Sequence, residues 1–149
     1  MPCKYGTKCQ QALSSHLMST AQRVFVGYGT VILGIGFALG TVLGMVRMRT
    51  PSMRSLATAH VETLMQAAMH FGLAFAIGAV GFSSTAATWG AWLLVVGSAM
   101  QAIGVTLNWI TKAADQFAER SPGFLVNSMS TFIAWPGLII TGAGILTRL

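Results

Sequence analysis

Between Arg23 and Arg47 the chain runs for 23 residues without a charged side chain. Coiled as a helix, that run is roughly 34 Å long, enough to cross the ~30 Å hydrocarbon core of a bilayer. Three further apolar stretches follow, over residues 56–82, 86–111 and 124–147. Backbone N–H and C=O groups find no water in lipid, so a spanning segment must satisfy them itself, as a helix or as part of a closed barrel. The stretches lack the residue-by-residue alternation of barrel strands, which leaves helices. The second stretch stands apart because it contains His60, Glu62, Gln66 and His70.

Composition agrees. Of 149 residues, 54% are hydrophobic and 8% charged, against about 25% charged in an ordinary soluble domain. Three acids and nine basic residues cannot solvate so apolar a globule, which excludes a water-soluble enzyme. The net charge of +6 is explained by loop topology and anionic headgroups, without nucleic acid. The fold class expected is all-α: an integral membrane bundle of four transmembrane helices. Residues 24–149 form its single domain, and residues 1–23 a polar tail or surface helix. The first apolar run is too long for a signal-peptide core and no small-residue cleavage site follows it.

Four spans place both termini on one face (face A), together with the short neutral loop 83–85. Face A carries Lys4, Lys8, Arg23 and Arg148, whereas the opposite face B carries Arg47, Arg49, Arg54, Lys112 and Arg120. The cluster favours face B as the cytoplasmic side. Gly36, Gly40 and Gly44 repeat every four residues in the first span, and Gly90, Gly97 and Gly104 every seven in the third. Small residues at such spacings let helix backbones approach, either inside the monomer or between subunits. Cys3 and Cys9 match neither a heme-attachment motif nor a strong zinc spacing.

Chemistry is confined to the second span, since ionisable groups in a membrane segment are costly. His60 lies near face B; His70 is ten residues on, about 15 Å deeper by helical rise and about 80° round the helix. One metal ion cannot be gripped by both, and three acids cannot complete a zinc or di-iron site. Glu62, Gln66 and His70 form one stripe at i, i+4 and i+8, suited to an inter-helix hydrogen-bonding seam or to catalysis. Antiparallel threading returns Asn108, Trp109, Asn127 and Ser128 to the depth of His60. A neutral imidazole with few acidic neighbours suits porphyrin iron, whose ring supplies the other donors. Arg47 and Arg54, with the rest of the face B cluster, then sit where they can pair with propionates. No nucleotide, phosphate or nucleophile motif is present.

Ala59-His60 opening the second of four helices, the amide at Gln66 six residues later, and Asn127 nine residues before Pro136 resemble the styrene oxide isomerases. The similarity runs from the first helix to the fourth. It implies a small trimeric membrane enzyme, of bacterial inner-membrane type, that binds heme b between subunits. It also implies that a ferric iron activates a hydrophobic aryl epoxide drawn from the lipid, which rearranges to an aldehyde. His60 matches the axial-ligand position, and Gln66 a position where the family has an asparagine near the substrate. The family's helix-three tyrosine has no counterpart, because the tyrosines here are Tyr5 and Tyr28; Asn108 is the nearest polar substitute. Met65, Met69, Phe71, Phe75 and Trp109 offer apolar lining for the epoxide, or equally ordinary lipid-facing or core positions.

Two alternatives stand beside this reading. The chain is also similar in size and helix count to the membrane-associated glutathione transferases, which share Ala59-His60. Their following Asn-x-x-Glu is missing, since Val61-Glu62-Thr63-Leu64 comes instead. The other alternative is a non-enzymatic membrane subunit or heme electron carrier. A carrier usually takes two axial ligands, which His60 and His70 cannot both supply.

Overall fold

The computed structural model describes residues 18–47, 54–112 and 120–149. Among the described residues there are four helices and no strand: α1 (Thr20–Arg47), α2 (Arg54–Ala79), α3 (Thr85–Ile110) and α4 (Pro122–Leu146). Three of them, over Thr20–Val46, Thr85–Ile110 and Pro122–Leu146, are long and apolar enough to cross a membrane. α2 matches them in length at 26 residues, but its polar stripe lowers its hydropathy. Large apolar side chains point outward from several helices; Val31, Phe37, Phe75 and Phe132 are between 61% and 80% exposed, which suits lipid as the surrounding solvent.

The ends of the helices follow local chemistry. α1 begins four residues earlier than the charge pattern implied, so Arg23 lies inside it rather than before it. The cause is a capping box. Ser19 Oγ accepts from the Gln22 N–H at 3.3 Å, and Gln22 Oε1 accepts from the Ser19 N–H at 2.9 Å, so two otherwise unpaired donors are satisfied together. α2 ends at Ala79, three residues short of the expected boundary. Gly81 there takes φ +65°, and Phe82 N–H and Gly81 N–H bond to the carbonyls of Ile77 and Gly78. This is the Schellman pattern, which glycine adopts without steric cost. Ser84 and Ser121 cap α3 and α4 by accepting from Ala87 N–H and Phe124 N–H, and Pro122 occupies the first turn of α4, where its missing N–H costs nothing.

Two antiparallel hairpins, α1–α2 and α3–α4, make the most extensive contacts; α3 joins them by touching both α1 and α2, and α4 packs outermost on α3. Towards face A the core is dense, with Phe25, Ile77, Phe82, Ala87 and Leu94 all buried. With lipid around the bundle, burying Phe25 or Ile77 stabilises it through close van der Waals packing rather than through removal of apolar surface from water. Towards face B the core thins to Ile32, Ala67 and Ala102. Between α1 and α3 a cavity of about 390 Å³ opens there, lined mainly by aliphatic side chains with Tyr28 at one end.

All the repeat glycines but Gly44 pack inside the monomer. On α3, Gly90, Gly97 and Gly104 face Thr141, Ala134 and Asn127 of α4. On α1, Gly36 faces Thr63 and Leu64, and Gly40 faces His60. Gly44 alone of that triplet has nothing within 4 Å of a Cβ built on it. Of the two readings of the Gly36–Gly40–Gly44 repeat, packing within the monomer describes Gly36 and Gly40, which α2 covers.

Candidate functional site

α2 carries its polar residues to two levels of the α1–α2 seam. At the level nearer face B, His60 Nδ1 bonds the Gly36 carbonyl at 2.8 Å. A carbonyl oxygen only accepts, so Nδ1 carries the hydrogen and the neutral ring keeps its lone pair on Nε2. The ring is half-buried, and its Nε2 bonds none of the described residues. It lies so close to Gly40 that a Cβ there would stand 2.7 Å from His60 Cε1. Glycine at position 40 is thus what lets the imidazole lie against α1.

Two turns deeper, Tyr28 of α1 donates from its hydroxyl to Gln66 Oε1 at 3.3 Å. His70 is fully buried, and its Nδ1 donates to the Gln66 backbone carbonyl at 2.7 Å. The rings of Phe25 and Tyr28 flank it with centroids 5.5 and 4.6 Å away. The expected stripe of Glu62, Gln66 and His70 is therefore an inter-helix seam in part. Gln66 is tied across to α1, whereas Glu62 Oε2, Gln66 Nε2 and His70 Nε2 are buried atoms without a partner. Tyr28 is the functional candidate that sequence reasoning passed over. Once His60 is set opposite Gly36, antiparallel register alone carries Tyr28 to the level of Gln66.

Asn108 goes elsewhere. Ser121 donates to its Oδ1 at 2.6 Å while accepting from Phe124 N–H, so Asn108 ties the end of α3 to the start of α4. Asn127 packs on Gly104 in the same seam. The structure thus forms two polar groups: His60, Gln66, His70 and Tyr28 between α1 and α2, and Asn108, Ser121 and Asn127 between α3 and α4. Arg54 is exposed at the first residue of α2, on the face B side of His60, and Arg47 closes α1. Met65, Met69 and Phe75 are exposed on α2 rather than gathered in a pocket, and Phe71 packs on Gly29. Cys3, Cys9, Lys4, Lys8 and Arg49 lie outside the described residues. Among the described residues no three His, Cys, Asp or Glu side chains come together as a metal cluster. No protein-family model, curated protein or solved structure matches the chain.

Proposed function

We propose that this chain is a membrane-embedded, heme b-dependent epoxide isomerase of styrene oxide isomerase type, multi-pass in a bacterial inner membrane with α2 as its fourth span. The observation that carries the reading is the state of His60. Its Nδ1–H is held by the Gly36 carbonyl, its ring is braced by Gly40, and its Nε2 is left as a free donor atom. Metal-binding histidines are set in just this way, with one ring nitrogen hydrogen-bonded so that the other is aimed at the metal. His70 offers no such position, because it is wholly enclosed. That enclosure also disfavours an electron carrier with two axial histidines from this helix.

Heme, when bound, supplies a ferric Lewis acid for the epoxide oxygen. The residues do the rest. His60 would hold the iron through Nε2, and Arg47 and Arg54, at the face B ends of α1 and α2, would be the propionate partners. Tyr28 holds Gln66 by its Oε1, which leaves an amide hydrogen for an oxygen acceptor; Gln66 is the donor that the resemblance sets beside the substrate. Asn108, bound to Ser121, orders the neighbouring helix pair. Kept from bulk water, the epoxide would rearrange by a 1,2-hydride shift to the aldehyde rather than add water to give a diol. No acid–base pair is needed and no net oxidation occurs.

The test is the absorption spectrum of the detergent-purified protein followed by exposure to styrene oxide. A Soret band and conversion to phenylacetaldehyde are expected. A colourless protein after expression with ample heme overturns the reading. Dithionite is expected to slow turnover at least tenfold, a barrier change of about 1.4 kcal/mol, because ferrous iron is the weaker Lewis acid; equal rates in both oxidation states sink the mechanism.

A further inference from the structure

Behind Tyr28 the α1–α2 seam holds a hydrogen-bond donor and an acceptor with nothing to bind. Gln66 is 7% exposed and His70 0%. The Tyr28 hydroxyl donates to Gln66 Oε1, which identifies the other end of the amide, Nε2, as a pure donor. His70 spends its Nδ1–H on the Gln66 backbone carbonyl, so Nε2 of the neutral ring is a pure acceptor. Both nitrogens are buried and unpaired. The two residues are one helical turn apart, and both pack on Tyr28, the first through its hydroxyl and the second through its ring.

We propose that Gln66, His70 and Tyr28 bind one water molecule inside this seam. Gln66 Nε2 donates to the water, the water donates to His70 Nε2, and its second hydrogen reaches the lone pair left on the Tyr28 oxygen. That makes three hydrogen bonds, the usual number for a buried water. The occupant must donate and accept through one small atom. A metal ion is attracted to the imidazole lone pair but repelled by the amide hydrogens, and an anion is repelled by the lone pair. The hydroxyl of a larger molecule finds no opening, because His70 is 0% exposed and its Nε2 is itself buried. The chain Tyr28–Gln66–water–His70 then runs in one donor-to-acceptor direction, from a wall of the α1–α3 cavity into the seam. His70 lies about 15 Å by helical rise from His60, which keeps this water away from the proposed iron. One of the two Gln66 amide hydrogens is used, so the site stands whether or not the chain binds heme.

The test is nuclear magnetic resonance on the full chain in lipid nanodiscs, labelled with 15N at histidine and glutamine. The expected result is an unprotonated, hydrogen-bonded His70 Nε2, with through-space cross-peaks from one long-lived water to the ring protons of both His70 and Tyr28. In His70→Phe the water cross-peak to Tyr28 is expected to disappear. The proposal is overturned if the wild-type chain lacks the water cross-peaks, or if a Gln66 amide hydrogen couples directly to His70 Nε2. The wild-type spectrum decides this even if His70→Phe fails to fold.

Discussion

His60 and His70 share one helix and one tautomer, yet meet opposite surroundings. Each gives its Nδ1–H to a backbone carbonyl, Gly36 across the seam for the first and Gln66 on its own helix for the second. The difference lies at Nε2, open in the half-buried His60 and sealed in the fully buried His70. The expected outcome is therefore asymmetric. His60→Ala loses heme or shifts its Soret band strongly and drops isomerase activity to background. His70→Ala keeps heme and part of the activity but lowers the melting temperature, since it empties a packed site and leaves partners unpaired, a loss of about 2–4 kcal/mol. Spectra and activities of both variants, each first shown by size-exclusion to be intact, check this. A native spectrum in His60→Ala beside a colourless His70→Ala reverses the ligand assignment. At this scale the polar stripe on α2 was legible in the sequence, because ionisable residues stand out in an apolar run. Tyr28 was not, since its role depends on what lies opposite.

Helix contacts put the glycines to unequal use. A Cβ on Gly97 would lie 2.7 Å from Ala134 Cβ and 2.9 Å from Ala134 Cα and N, so backbone has to move to admit it. A Cβ on Gly44 meets nothing within 4 Å. Gly97→Leu is therefore expected to destabilise the α3–α4 hairpin by about 1–3 kcal/mol or more, and Gly44→Leu to change monomer stability by no more than about 0.5 kcal/mol. Thermal unfolding of both variants in detergent separates them, and equal losses contradict the packing described. Helix positions were readable from the gaps between charges to within a few residues. The remaining error at α1 came from overlooking the Ser19-x-x-Gln22 capping signal, and that at α2 from running past Gly81. Both are local chemistry and were available in the sequence.

For the whole molecule, the question is what encloses a porphyrin. His60 is only half-buried, and the two polar groups lie in separate helix pairs, so one protomer offers the imidazole without a closed chamber around it. If heme b is bound as proposed, a second subunit must complete its surroundings, and a homotrimer is the assembly the resemblance implies. Native mass spectrometry from detergent is expected to show heme on trimers and none on monomers. A heme-loaded monomer defeats this. Gly44→Leu adds a sharper reading: if Gly44, left open by α2, meets a neighbouring subunit, the variant loses trimer while keeping monomer stability.

Charge, hydropathy and capping residues act within one segment, and for that reason the sequence alone determined four helices, the membrane-like character of three of them and the placing of polar residues on the second. Partner choice was decided only in three dimensions. α1, α3 and α4 are each apolar enough to cross a membrane, so hydrophobicity does not tell which of their faces turns inward; close backbone approach and hydrogen bonding do. Gly36 and Gly40 accept α2, the α3 glycines accept α4, and the resulting register sets Tyr28 against Gln66 and sends Asn108 to Ser121 rather than to His60. Those pairings depend on which helices are neighbours and how far one slides along the other, and no single segment encodes either.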